Sequence, residues 1–155
     1  MKRISVFVLL LLCVFSIKTL GYAEMTDAIS TVHSTEYYAD GSYCVTIITV
    51  YPEKAPGSSV TTSKSSSYYN ASNVLQWTVT LTAAFTYNGS TANCTNASPS
   101  SVVYNTVWKV TKAKATYSGN TATGNFTIKR YNLLIPVETI NKTLTLTCSP
   151  SGVVT

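Results

Sequence analysis

Histidine and acid are the scarce residues of this 155-residue chain. His33 is its one histidine, and Glu24, Asp27, Glu36, Asp40, Glu53 and Glu138 are its six acids. No acid lies between Glu53 and Glu138, so no pair of carboxylates is brought together locally over that span. Glu36 with Glu53, or Asp40 with Glu138, meet only if folding brings them together. General acid–base catalysis needs titratable groups converging in a pocket, and the supply here is thin. His33 stands close to the start of the exported portion and reads as a solvated side chain. Metal binding needs clustered His, Cys or carboxylates, and Cys44, Cys94 and Cys148 are widely spaced. The expectation is therefore a protein that is not an enzyme, with no cofactor and no metal.

Helical periodicity is also missing after residue 23, and so is any second long apolar run. The one such run covers residues 4–17, behind Lys2 and Arg3 and ahead of Gly21, Tyr22 and Ala23. A basic start, a short apolar stretch and small residues at −3 and −1 describe a secretory signal peptide. The stretch is shorter than the roughly 20 apolar residues of a membrane span. Cleavage is expected between Ala23 and Glu24. Removing residues 1–23 of 155 leaves 132, with eight Lys+Arg against six acids. A net charge of +2 is too small for the phosphate backbone of a nucleic acid. The expected location is outside the cell or held non-covalently at its surface, since the C-terminal residues carry no hydrophobic sorting tail.

Serine and threonine are plentiful, 44 of 155 residues. Polarity without charge suits the outward face of a sheet, where threonine is favoured. The clearest pattern lies at residues 75–87. Leu75, Trp77, Val79, Leu81, Ala83, Phe85 and Tyr87 alternate with Gln76, Thr78, Thr80, Thr82, Ala84 and Thr86. Period two marks a half-buried strand. Asn88-Gly89 then turns the chain, and a two-residue loop places Phe85 opposite Ala92 and Ala83 opposite Cys94. Asp40-Gly41 is a second hairpin signal, ahead of a strand from Tyr43 to Tyr51. Gly119-Asn120 is a third. It sets Tyr117 opposite Ala122, Ala115 opposite Gly124 and Ala113 opposite Phe126. Trp108 and Val110 have the wrong parity for that face, which requires a bulge near Thr111.

Residues 133–137 are apolar, with Pro136 at an edge or bend. Ile140, Leu144, Leu146 and Cys148 share one parity with Lys142, which must reach an edge. Residues 52–72 read as a Ser/Pro-rich loop, residues 96–101 with Pro99 as a second loop, and residues 24–34 as a loose N-terminal arm. About seven strands over residues 35–155 predict an all-β domain, a single antiparallel β-sandwich. A partly open barrel is the alternative.

Three cysteines remain after the signal peptide, an odd number. Export permits disulfides, and the shared apolar parity of Cys94 and Cys148 favours a bridge between them. Cys44 is then a buried thiol or an intermolecular partner. The other reading keeps all three as reduced, buried small hydrophobes.

Cys94, Trp108 and Cys148 together resemble the immunoglobulin Cys…Trp…Cys pattern. Leu146 stands where that family carries a tyrosine, so the likeness implies an immunoglobulin-like architecture and not membership. The runs WTVTLTAAFTYNG at residues 77–89, SGNTATGNF at 118–126 and TLTLTCS at 143–149 resemble a group of small, uncharacterised secreted all-β proteins of Gram-positive bacteria. That resemblance spans residues 74–155 and implies export, with no active site to carry over.

Two surfaces are candidates for contact. Tyr37-Tyr38 and Tyr68-Tyr69 are adjacent pairs in which one ring packs inward and the other faces out. Exposed, they suit stacking on a sugar or a protein partner. Lys112 and Lys114 share a solvent face in a stretch, from Lys54 to Val137, with seven positive residues and no acid. They suit an anionic surface, although lysine also protects sheet edges. Six Asn-x-Ser/Thr sequons, at Asn70, Asn88, Asn93, Asn96, Asn125 and Asn141, matter only in a eukaryotic host. The leading expectation is an extracellular binding or adhesion module for carbohydrate or protein. The alternative is a structural or assembly protein that associates through strand edges or Cys44. A hydrolase built on dispersed acids is third, and it gains force if Glu36, Glu53 or Asp40 shares a cleft with another acid.

Overall fold

A computed structural model describes residues 29–51 and 59–155. The expected cleavage point, the segment 24–28 and Glu53 lie outside the described residues. Eight antiparallel strands occur among the residues described. They are β1 (Ile29–Tyr37), β2 (Tyr43–Tyr51), β3 (Ser59–Tyr69), β4 (Leu75–Tyr87), β5 (Ala92–Val103), β6 (Trp108–Ser118), β7 (Thr121–Asn132) and β8 (Ile135–Thr147). Strands β1–β5 form one sheet in chain order and β6–β8 a second. The two pack face to face as a β-sandwich.

The alternation at residues 75–87 makes β4 the spine of the core. Trp77, Val79, Leu81, Ala83 and Phe85 are buried, facing Ala122, Phe126 and Ile128 of β7 and Leu144 and Leu146 of β8. The β6–β7 hairpin has the expected register, Tyr117 opposite Ala122 through Ala113 opposite Phe126, with a register shift between Val110 and Lys112. That bulge lets Trp108 and Ala115 face the same side. Lys142 reaches across the sandwich to Glu36 of β1, with Nζ 2.7 Å from the carboxylate. The edge strand β8 carries Pro136, where a missing N–H costs no ladder bond.

Several expectations are corrected. Residues 29–34 are not a loose arm but most of β1, paired with β2 through a bulge at His33. Residues 59–69 of the supposed Ser-rich loop form β3, a central strand. Serine is a weak strand former. Here it is held by neighbours on both sides and by hydroxyl pairs across the sheet, Ser65 with Thr80 at 2.8 Å and Ser67 with Thr78 at 2.9 Å. Residues 96–101 also belong to a strand, because β5 is an edge and Pro99, opposite Leu81, can leave its missing donor outward. The β4–β5 hairpin is two residues wider than a two-residue loop allows. Asn88 Oδ1 accepts from the backbone N–H groups of Ser90 and Thr91, so Tyr87 pairs with Ala92 and Phe85 with Cys94. A shift of two leaves every side chain on its expected face.

The Cys94–Cys148 bridge does not form. Cys44, Cys94 and Cys148 are free, buried thiols. Cys94 and Cys148 flank the β6–β7 turn from opposite sheets, their N–H groups donating to Gly119 O at 2.7 Å and Asn120 O at 3.0 Å. Their Sγ–H groups are turned to backbone carbonyls, Asn96 O and Ser149 O. Each sheet is a meander in chain order, whereas immunoglobulin domains use Greek-key connections. Trp108 packs on Tyr68 and Trp77 at the far end of β6 from the cysteines, so Cys94, Trp108 and Cys148 do not pack as an immunoglobulin-type trio.

Candidate functional site: a polar cleft at the loop end

In an up-and-down sandwich, alternate connections fall at the same end. The β1–β2, β3–β4, β5–β6 and β7–β8 turns therefore gather at one end of this molecule, and a cleft of about 280 Å³ opens among them. Asp40 and Ser42 come from the first turn, Asn70 from the second and Asn105 from the third. Gln76 of β4, Tyr68 of β3, Trp108 of β6, Arg130 of β7 and Glu138 of β8 complete the walls.

Each wall is set by its local chemistry. Gly41 takes φ +82° in the Asp40-Gly41 turn, and Asp40 Oδ1 accepts from the Ser42 N–H at 3.0 Å and the Ser42 hydroxyl at 2.5 Å. Those two bonds, the hydroxyl's first, hold the Asp40 carboxyl below the usual carboxylate range, with a smaller pull from Arg130. In the β3–β4 turn Asn70 Oδ1 accepts from the N–H groups of Ser72 and Val74. Gln76 is buried, and its Oε1 accepts from Asn105 Nδ2 at 2.8 Å, fastening β4 to the β5–β6 loop. Tyr68 stacks on Trp77 at 5.2 Å and meets Trp108 edge-on at 5.3 Å. Burial pushes its phenol up, and the nearby charges of Glu138 and Asp40 add to the shift.

Arg130 donates from Nε to Glu138 at 2.8 Å, and its guanidinium carbon lies 6.0 Å from the Trp108 ring centroid. One nitrogen is thereby used, and the terminal amino groups remain for a ligand. The cleft thus combines two carboxylates, a guanidinium and three amides against an indole wall. Asp40 and Glu138, which sequence spacing kept apart, share it.

The tyrosines separate as parity requires. Tyr68 is a core residue with only its hydroxyl end in the cleft, and Tyr38 is half-buried with its hydroxyl 3.5 Å from Cys44 Sγ. Tyr37 and Tyr69 face outward in a row with Tyr43. Tyr43 and Tyr69 stack at 5.0 Å and 10°, while Tyr37 and Tyr43 lie 5.7 Å apart. Rings stacked on one another present edges to solvent, so the row works as cross-strand packing and only Tyr37 offers a free face. Lys112 and Lys114 are exposed on the outer face of the three-stranded sheet. They take no part in the cleft. Cys44 is a wholly buried free thiol, the first of its two expected states. Among the described residues no group of three His, Cys, Asp or Glu is placed to hold a metal, and no helix is long and apolar enough to cross a membrane.

The sequence offers none of Arg130, Asn70, Gln76, Asn105 and Ser42 as a binding residue: Asn70 stands out there only as a sequon and Gln76 only by its parity. The signal that finds them is the parity of the connections, which holds only once β3 is counted as a strand. Set against known protein families, curated proteins and solved structures, the chain matches none.

Proposed function

We propose that this chain is a secreted, non-catalytic binding module that takes a carbohydrate in the loop-end cleft. The observation that carries the reading is the convergence of Asp40, Glu138 and Arg130 with the amides of Asn70, Gln76 and Asn105 beside Trp108. A sugar hydroxyl donates and accepts at once. Neighbouring carboxylate acceptors and guanidinium or amide donors satisfy adjacent hydroxyls as a set. Export rests on the N-terminal segment, with its basic start, apolar run and small residues before Glu24.

Glycosidic hydrolysis asks more of a pair of carboxyls. One must stay protonated to serve the leaving oxygen. Ser42 holds Asp40 in the opposite direction, and Glu138 is engaged by Arg130. Both carboxylates are suited to accept hydrogen bonds, and Asp40 is held against lending a proton. Binding without turnover is the function this arrangement supports.

The test is a glycan array followed by calorimetry on any sugar retained. Asp40→Asn and Arg130→Met are expected to lower affinity by about tenfold or more, since each leaves a partner in the cleft unpaired. Lys112→Ser is expected to change nothing. An array without a single retained glycan would overturn the proposal, as would binding indifferent to both cleft variants.

A further inference from the structure

The same end of the molecule carries most of the exposed large hydrophobics among the described residues. Val102, Val103, Tyr104 and Val107 line the β5–β6 connection, and Leu133, Leu134, Ile135 and Val137 form the β7–β8 hairpin tip. Leu133 is 93% exposed and Leu134 91%, the two most exposed large hydrophobics among the described residues. They fill a two-residue loop between Asn132 and Ile135. Leu133 sits there at φ +55°, the sign that such a loop usually gives to glycine. A branched side chain in that region is strained. The hairpin therefore accepts backbone strain in order to point leucines at water, where they stabilise nothing in the folded chain.

Behind the tip lies a lysine pair. Lys109 and Lys129 are directly opposite each other on the outer face of the three-stranded sheet, and like charges so placed repel. Lys112 and Lys114 continue the same face, and no acid shares it. The two ion pairs of the described residues, Arg130–Glu138 and Lys142–Glu36, use none of these four lysines. At about 3.4 Å per residue, Lys129 stands roughly 13 Å behind Leu133. With the tip buried about 5–10 Å into the headgroup–acyl boundary, Lys129 stays behind it on the phosphate side.

From these features we infer that the β7–β8 hairpin is a membrane-docking tip. Leu133, Leu134 and Ile135 enter the interface of an anionic bilayer, and Lys109 and Lys129 meet its headgroup phosphates. The exposed leucine pair, with Leu133 at positive φ, and the unneutralised lysine pair are both accounted for by one partner. A soluble polyanion would satisfy the lysines and leave the leucines in water. A second copy of the chain would cover the leucines and bring the lysines against more lysine. The inference stands apart from the carbohydrate reading and uses none of its residues.

The test is co-sedimentation of the chain from Glu24 onward with vesicles of phosphatidylcholine alone, or of phosphatidylcholine mixed with phosphatidylglycerol. The native chain is expected to pellet with the mixed vesicles, and less so as salt is raised. The double variant Leu133→Asn/Leu134→Ser should bind them about tenfold or more weakly, with an unchanged unfolding midpoint because asparagine tolerates positive φ. Lys109→Gln/Lys129→Gln, which leaves the turn untouched, should abolish the preference for the anionic mixture. Absence of vesicle binding by the native chain overturns the inference. So does a tip variant that pellets like the native chain, the result expected of a polyanion site. Tip-dependent self-association without vesicle binding also overturns it and identifies the second copy as the partner.

Discussion

Leu81 of β4 lies directly over Gly124 of β7. A Cβ built on Gly124 would sit 3.3 Å from both Cβ and Cδ1 of Leu81 and 3.0 Å from Cε2 of Phe126. All three residues are at the centre of the sandwich, where the two sheets come together. Gly124 is the small partner that lets the large ones meet.

Gly124→Val should therefore overpack the core. Neither Leu81 nor Phe126 is the free end of a flexible side chain, so the sheets must part to admit it. The expected loss is about 1–3 kcal/mol, read as a lower denaturant midpoint at unchanged slope.

Tyr68 and Tyr69 are neighbours in sequence on opposite faces of β3. Tyr68→Ala removes a ring held between Trp77 and Trp108 and should cost about 3–5 kcal/mol, as for other buried aromatics. Tyr69→Ala removes only a stacking partner of Tyr43 on the outer face and should cost about 0.2–1 kcal/mol. Equal losses from the two variants would contradict the register of β3.

Asp40 should titrate below its ordinary value of 3.8, because the folded state stabilises its ionised form through Ser42. The sign follows directly. A depressed folded pKa contributes stability above the unfolded value, and that contribution is lost as the pH falls through the folded one. Ser42→Ala should return the Asp40 carboxyl towards 3.8, observed by carboxyl NMR titration. It should also make stability less dependent on pH across the acid range.

The thiols supply a second pH dependence of opposite sign. Burial raises Cys94 and Cys148 above the ordinary 9.0. Their contribution is complete below that value and is lost as the pH rises towards the folded one, because the unfolded chain ionises first. The denaturant midpoint should fall as the pH rises above 9.0, and the paired variant Cys94→Ala/Cys148→Ala should flatten that fall. Thiol reagent should find Cys44, Cys94 and Cys148 reactive only after denaturation, and without prior reduction.

Much of the fold was legible because strands of period two declare their inward face. The alternation named the core side chains of β4 from Trp77 to Phe85. At Leu75 a bulge at Gln76 reverses it, leaving Leu75 opposite the outward Tyr69 and burying Gln76. The Gly119-Asn120 turn determined the β6–β7 pairing down to the bulge before Lys112. The missed strands have one cause. Ser59–Tyr69 and the stretch around Pro99 lack strand-forming composition, and each is a strand because of what lies beside it. β3 is clamped between two ladders, and β5 is an edge that tolerates proline. The cleft was illegible for the same reason. Its residues come from three turns and the strand ends beside them, whose common location depends on the strand count, and losing β3 moves part of them to the wrong end.

By itself the sequence determined the all-β class, the faces of the strong strands and the hairpins at Asp40-Gly41 and Gly119-Asn120. These depend on side-chain alternation and on backbone conformations open to few residues, both local properties. Only the tertiary structure decided that Asp40 shares a cleft with Arg130 and Glu138, that Cys94 and Cys148 lie on either side of one turn without joining, and that Leu133 and Leu134 are left exposed at a hairpin tip. Those relations link residues far apart in the chain, and they arise from how two sheets stack and not from any segment read alone.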